Sequence, residues 1–153
     1  MKKIIFLVLI LILSTACSQK NIEESQKETN NKIEIIDKES EISDIEIDVK
    51  IKSYANFDII FKNKSNNEYL TGKGWDFFYR KNDKSEWKNI TPSGYEVTNE
   101  GIMITKDKDF EQELSMVDIF DKKKFDLGEY KIVKNVQNNK GVENQVYFMF
   151  IFK

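Results

Sequence analysis

The sequence of 153 residues contains no histidine, one cysteine and one proline. Without histidine, the chain cannot assemble a Ser-His-Asp triad, a Cys-His pair or a zinc site with histidine ligands. A lone cysteine cannot form a disulfide within the chain, so the fold has to be stabilised by a hydrophobic core. These absences leave the acidic residues as the remaining candidates for catalysis.

A strong net charge is also missing. The chain carries 24 basic and 26 acidic residues, and without Lys2 and Lys3 the count is 22 against 26, a net charge of −4. Nucleic-acid binding is not expected, because it requires a basic face. Paired carboxylates can hydrolyse a glycosidic bond, but most acidic residues here alternate with apolar ones, which places them on solvated strand faces. We therefore expect no enzyme activity and no cofactor.

Three carboxylates lie at alternate positions in residues 107–111, Asp107-Lys108-Asp109-Phe110-Glu111. Oxygen ligands at this spacing can hold calcium. The glycine and the distal glutamate of an EF-hand loop are absent, however, and Lys106 and Lys108 compete with a cation. The favoured interpretation is a charged edge strand that blocks pairing with another sheet, so no metal site is predicted.

Residues 1–16 have the pattern of a secretory signal peptide. Met1-Lys2-Lys3 is a basic start, and the ten residues from Ile4 to Leu13 are continuously apolar. This run is too short to span a bilayer as a helix, which takes about 20 residues. Small residues follow and end in Ala16, so the pattern predicts that the chain is exported.

The stretch Leu13-Ser14-Thr15-Ala16-Cys17 resembles the lipobox of bacterial lipoproteins, with Ser14 where leucine is usual. The resemblance implies cleavage after Ala16 and a lipid such as palmitate on Cys17. It also implies attachment to the cell membrane on the extracytoplasmic face. Ser14 and Ala16 equally suit ordinary signal peptidase, which would make Cys17 a coincidence. Stable anchoring takes more than one acyl chain, at about 0.8 kcal/mol per buried methylene.

Residues 17–44 are predicted to form the lipidated N-terminus and a disordered polar tether. From Ser18 to Asp44 the chain carries eight acidic residues and four lysines, with too little apolar content to fold alone. Ile33, Ile35 and Ile36 form a small apolar island that can dock on the following domain. From Ile45 onward the apolar residues recur with a period of two, so the domain is assigned to residues 45–153.

Strand patterns recur every 10 to 15 residues through this domain, without a long amphipathic helix. This organisation is typical of an all-β fold, an antiparallel sandwich of about seven strands. A single helical turn is predicted within residues 116–125. The predicted strands cover residues 45–51, 56–62, 75–80, 86–90, 101–105, 110–114, 129–136 and 145–152.

The segment Asp126-Leu127-Gly128-Glu129-Tyr130 matches the tyrosine corner of immunoglobulin-like sandwiches, in which the tyrosine hydroxyl bonds nearby backbone. Two residues after the tyrosine, where antibody domains have cysteine, the chain has Ile132, so an apolar contact stands in place of a disulfide. Trp75 lies where such sandwiches bury a tryptophan.

Several motifs occur in an order that resembles a family of bacterial immunoglobulin-like domains found in secreted proteins and lipoproteins. The motifs are the turn Asn63-Lys64-Ser65, the aromatic strand that begins at Trp75, the hairpin closed by Trp87, and the segment 128–132. The family often has arginine where this chain has Lys131. The resemblance implies a sandwich with a binding or spacer role and no shared activity.

The last strand offers a candidate partner surface. Its period places Val146, Phe148, Phe150 and Phe152 in the core. Tyr147, Met149 and Ile151 then face outward, and together with Phe78 or Val133 they form a patch of a size that usually marks a contact site. The isoleucine island can cover this patch as an added strand, the patch can contact an envelope protein or a second copy of the chain, or it can simply be exposed.

The sequence thus favours a membrane-anchored extracytoplasmic lipoprotein with a non-catalytic immunoglobulin-like binding or spacer domain. The alternative is an accessory subunit or sensor that positions substrate for an envelope enzyme or transporter.

Overall fold

The computed structural model describes residues 32–95, 100–122 and 124–153. The predicted signal peptide, Cys17 and the first part of the predicted tether lie outside these residues.

The described residues form two antiparallel sheets that pack face to face, which confirms the predicted β-sandwich. The large sheet has the order β1-β10-β9-β4-β7, and β5, paired with β6, also lies against β9. The small sheet has the order β2-β3-β8. The elements are β1 (Ile33–Ser40), β2 (Ile45–Ser53), β3 (Asn56–Asn63), β4 (Tyr69–Thr71), β5 (Asp76–Arg80), β6 (Lys88–Asn89), β7 (Ile102–Ile104), β8 (Phe110–Ser115), α1 (Met116–Phe120), β9 (Gly128–Asn138) and β10 (Glu143–Phe152).

Strand alternation builds the core between the sheets. In β3, Phe57, Ile59 and Phe61 are fully buried while the residues between them are partly exposed. Facing them, β10 buries the four side chains predicted for the core, Val146, Phe148, Phe150 and Phe152. The ring of Phe57 lies 5.3 Å from that of Phe148 and 4.8 Å from that of Phe150, measured between centroids. Burying each phenylalanine contributes about 1.5–3 kcal/mol to stability. This layer therefore stabilises the fold without a disulfide.

The eleven-residue strand β9 organises the large sheet. One edge of β9 pairs with β10 along its length. The other edge pairs with β5 over Glu129 to Val133 and with β4 over Val136 to Asn138. Between these two pairings, residues 72–75 leave the sheet opposite Lys134 and Asn135. The sheet is therefore interrupted at this point.

Residues 33–40, which were assigned to the tether, form β1 at the edge of the large sheet. The strand pairs with β10 from Ile33 opposite Phe152 to Ser40 opposite Val146, with an irregularity between Ile35 and Asp37. Ile33 and Ile35 pack against the core. The period of two is lost at Ile36, which is 42% exposed in this irregularity, and the outward positions are acidic. The sandwich therefore begins at Ile33 rather than at Ile45.

Ten strands are present in the described part of the chain, where eight segments were predicted for a sandwich of about seven strands. The additions are β1 and β4, and β6 is shorter than its predicted segment. Strand β8 pairs only with β3, as an edge strand does. The predicted helical turn is present as α1, which the Ser115 side chain caps by accepting a hydrogen bond from the backbone N–H of Asp118.

Candidate functional site

Tyr130 lies at the start of β9 and closes one end of the core. It is 3% exposed, its hydroxyl donates to the carbonyl oxygen of Asp126 at 3.0 Å, and its ring stacks on Phe150 at 5.3 Å. The pKa of Tyr130 is raised, mainly because its hydroxyl is buried. Gly128 has φ +143°, and Ile132 is fully buried opposite Phe148 on β10. The structure thus brings the three residues together as a tyrosine corner.

Replacing Tyr130 with phenylalanine is expected to lower the free energy of unfolding by about 1 kcal/mol, because the ring stays packed while one hydrogen bond is lost. Urea unfolding followed by circular dichroism measures this. Tyr79→Phe is the control, since the Tyr79 hydroxyl donates to the Leu127 carbonyl oxygen at 3.1 Å in an exposed position and should matter less. A Tyr130→Phe chain as stable as the parent would contradict the corner.

Trp75 is 4% exposed and belongs to the core. Its ring lies 6.0 Å from that of Phe61 and 6.3 Å from that of Phe148. The indole Nε1 is buried, and no hydrogen-bond partner for it is found among the described residues. Two residues along the strand pattern, Phe77 is also fully buried, whereas Phe78 faces outward beside Lys131 and is half-buried. The aromatic stretch therefore serves mainly as core.

Three outward side chains of β10, Tyr147, Met149 and Ile151, are half-buried rather than exposed. Charged residues flank two of them on both sides: Met149 lies between Lys131 and Asp37, and Ile151 lies between Glu129 and Glu34. Tyr147 lies between Val133 and Glu39.

The Tyr147 side chain is held by both neighbouring strands. Its hydroxyl donates to the Glu39 carboxylate, and this bond is the largest cause that raises the pKa of Tyr147 to about 12. The Lys131 ammonium lies 3.8 Å from the centre of the Tyr147 ring. Val133 is only 3% exposed and adds little surface. The strip formed by Tyr147, Met149 and Ile151 is therefore narrow and bordered by charge.

Arg80, the one arginine of the sequence, lies opposite Glu129 on the same sheet. Its Nε and Nη2 donate to Glu129 Oε2 at 2.8 and 2.5 Å. Its guanidinium lies 4.5 Å from the centre of the Trp87 ring, a contact that contributes about 0.5–1 kcal/mol at exposed sites. Trp87, which directly precedes β6, therefore packs against Arg80.

A groove of about 530 Å³ lies beside the interruption of the large sheet. Gly72 to Trp75 form one wall, and Val133 and Val136 of β9 also line it. Lys73 and Glu100 form an ion pair at its rim, with 2.5 Å between Nζ and Oε2. Its hydrogen-bonding side chains include Asp76, Tyr95, Asn135 and Gln137. The groove has the size of a small-molecule site but offers no histidine as a general base.

A family model described as a bacterial Ig-like domain matches residues 40–148. The chain belongs to this family. The resemblance inferred from the tryptophan and tyrosine motifs is therefore confirmed, and the sandwich is an immunoglobulin-like one.

One solved structure similar to this Ig-like domain is the X-ray structure of Northeast Structural Genomics Consortium target SoR45. The two share 12% identity and superpose with a TM-score of 0.40, over 70% of this chain and 85% of the other. No curated protein matches the chain.

Lys134 is a prominent feature of the Ig-like domain that the sequence reading missed. It lies on β9 and is 1% exposed. Its Nζ donates to the carbonyl oxygen of Gly74 at 3.1 Å and to Gln112 Oε1 at 2.6 Å, and lies 4.2 Å from the centre of the Trp75 ring. The sequence contains a signal for this burial, because the two-residue period that buries Tyr130 and Ile132 also places Lys134 on the inner face of β9.

The acidic stretch Asp107 to Glu111 forms a turn and the start of β8. Within the residues that the structure describes, no group of three or more His, Cys, Asp or Glu side chains is placed to hold a metal ion. The same residues include no helix that is long and apolar enough to cross a membrane. Cys17, the predicted lipidation site, lies outside them.

Proposed function

We propose that this protein is a membrane-anchored extracytoplasmic lipoprotein whose Ig-like domain is a non-catalytic binding or spacer module. The observation that carries the proposal is the position of the sole cysteine, Cys17, directly after Ala16 and a ten-residue apolar run. Membership of the bacterial Ig-like family supports the non-catalytic binding or spacer role, because this fold serves binding and spacing rather than catalysis.

The start of β1 limits how far the sandwich can stand from the membrane. Fifteen residues, 18–32, separate Cys17 from Ile33, which allows at most about 58 Å. The backbone N–H of Lys153 donates to the carbonyl oxygen of Lys32 at 3.0 Å, so the chain joins the sandwich at the end that holds the tyrosine corner. The groove lies toward the other end of β9 and would face away from the anchor.

Among the described residues, two surfaces are candidates for contact with a partner. The first is the strip of Tyr147, Met149 and Ile151, which we propose as the contact for an envelope protein. Its charged borders on β1 and β9 suit a partner that adds polar contacts around a small apolar centre. The second is the groove, which favours the alternative function, an accessory subunit or sensor that positions substrate for an envelope enzyme or transporter.

Replacing Cys17 with alanine is expected to move the protein from the membrane fraction to the medium, or to leave its signal peptide uncleaved, because no residue remains to carry the lipid. Fractionation of cells that express each form, with immunoblotting, measures this. Ser18→Ala is the matched control and should stay membrane-bound. A Cys17→Ala protein that remains membrane-bound after cleavage would contradict the anchor.

A further inference from the structure

Lys134 occupies an unusual place for a charged residue. It projects from β9 into the space between the sheets at the interruption of the large sheet. Its amine contacts two elements: the wall of the groove, through the Gly74 carbonyl oxygen and the Trp75 ring, and β8, through Gln112 Oε1. Removing the lysine contacts would therefore leave the groove wall bonded to β8 through Gln112 Nε2 and the Lys73 carbonyl oxygen alone.

The groups around Lys134 Nζ suit a neutral amine better than an ammonium. A neutral amine has two N–H donors, and the two oxygen acceptors satisfy both. An ammonium brings a third donor and a full charge, and none of its contacts is a carboxylate. Burying an unpaired charge is costly, although the Trp75 ring face offsets part of this cost.

Charged groups on the surrounding elements do not neutralise the site. Lys73 of the wall is paired with Glu100 at the rim. Strand alternation points the other nearby charges away from the core. These are Asp76 of β5, Glu111 and Glu113 of β8, Lys131 of β9 and Glu143 of β10.

The groove wall is anchored in the core at Trp75, whereas its more exposed part, Gly72 to Gly74, has few hydrogen bonds to the rest of the fold. Besides the Lys134 bond to Gly74, Gln112 Nε2 donates to the carbonyl oxygen of Lys73 at 2.8 Å. An added Cβ on Gly72 would meet only the backbone nitrogen of Gly74, at 4.0 Å, so the wall has open space beside it. We propose that Lys134 is a proton-sensitive latch, whose neutral amine holds this wall against β8 and whose protonation loosens the wall to admit water.

The latch operates near neutral pH, because burial lowers the pKa of Lys134 from 10.5 to about 7. Histidine, the side chain that ordinarily titrates in this range, is absent from the sequence. In the unfolded chain the lysine stays protonated up to about pH 10.5, whereas in the fold it is protonated only below about 7. The unfolded state thus binds the extra proton between these values, and stability rises with pH across this window.

The first test is urea unfolding of the full mature chain, carrying Cys17→Ala for solubility, between pH 6.5 and 9. We expect the unfolding constant to fall by up to tenfold per pH unit above pH 7. Lys134→Met, which keeps the volume and removes the charge, should abolish this dependence. An unfolding constant that does not change with pH, or the same dependence in Lys134→Met, would overturn the latch.

The second test reads the wall directly and does not require Lys134→Met to fold. The sequence has two tryptophans, so Trp87→Phe leaves Trp75 as the only indole. We expect acrylamide to quench Trp75 fluorescence more strongly at pH 6 than at pH 8.5. Equal quenching at both values would show that protonation leaves the wall closed, which also contradicts the proposal.

Discussion

Replacing Gly128 with alanine is expected to lower the free energy of unfolding by about 2–6 kcal/mol. Part of this loss, about 1–3 kcal/mol, comes from a backbone conformation that residues with a Cβ rarely adopt, since φ is +143°. The other part, about 1–3 kcal/mol, is overpacking. The added Cβ would lie 2.7 Å from the carbonyl oxygen of Arg80 and 2.8 Å from Tyr79 Cε2. Urea unfolding of the soluble chain measures the effect.

Gly141→Ala is the matched control for this prediction. Gly141 also has positive φ, at +77°, but its added Cβ would meet only Gln137 Nε2 at an ordinary 3.9 Å. Its cost should be limited to the backbone term, about 1–2 kcal/mol. Equal losses for the two variants would show that the close approach of Gly128 to the end of β5 is unimportant for the corner.

Removing β1 is expected to destabilise the domain by about 2–4 kcal/mol. The loss combines the packing of Ile33 and Ile35 with the backbone hydrogen bonds to β10. It also turns β10 into an exposed edge strand, which promotes association between chains. The experiment compares a chain that begins at Lys32 with one that begins at Asp44, by thermal unfolding and by the binding of a dye for apolar surface.

The chain that begins at Lys32 should match the full mature chain, because it keeps all of β1. The shorter chain should melt at a lower temperature and bind more dye. If the two chains had the same stability, residues 33–40 would be tether after all, and the domain would begin at Ile45 as its composition suggests.

The features that local pattern determines were predictable from the sequence. The core face of β10 follows from the alternation of Val146, Phe148, Phe150 and Phe152. The tyrosine corner follows from the spacing of Gly128 and Tyr130, because a special backbone position and a buried hydroxyl each restrict the residue type.

The features that were missed depend on neighbours distant in sequence. Strand β1 looks polar, because its outward residues are acidic and the irregularity at Ile36 breaks its period. The interruption of the large sheet arises because β4 and β5 share one edge of β9, which no local pattern shows. The burial of Lys134 was predictable from its inward position in β9, but a lysine side chain is charged and is expected at the surface. The acceptors on Gly74 and Gln112, which are distant in sequence, explain why it can be buried.

We propose that a lipid on Cys17 holds this Ig-like domain at the membrane. The most direct measurement is the intact mass of the protein extracted with detergent from its own membranes. The claim predicts a chain that begins at Cys17 and carries the added mass of more than one acyl chain. A chain with unmodified Cys17, or one that begins at another residue, would contradict it.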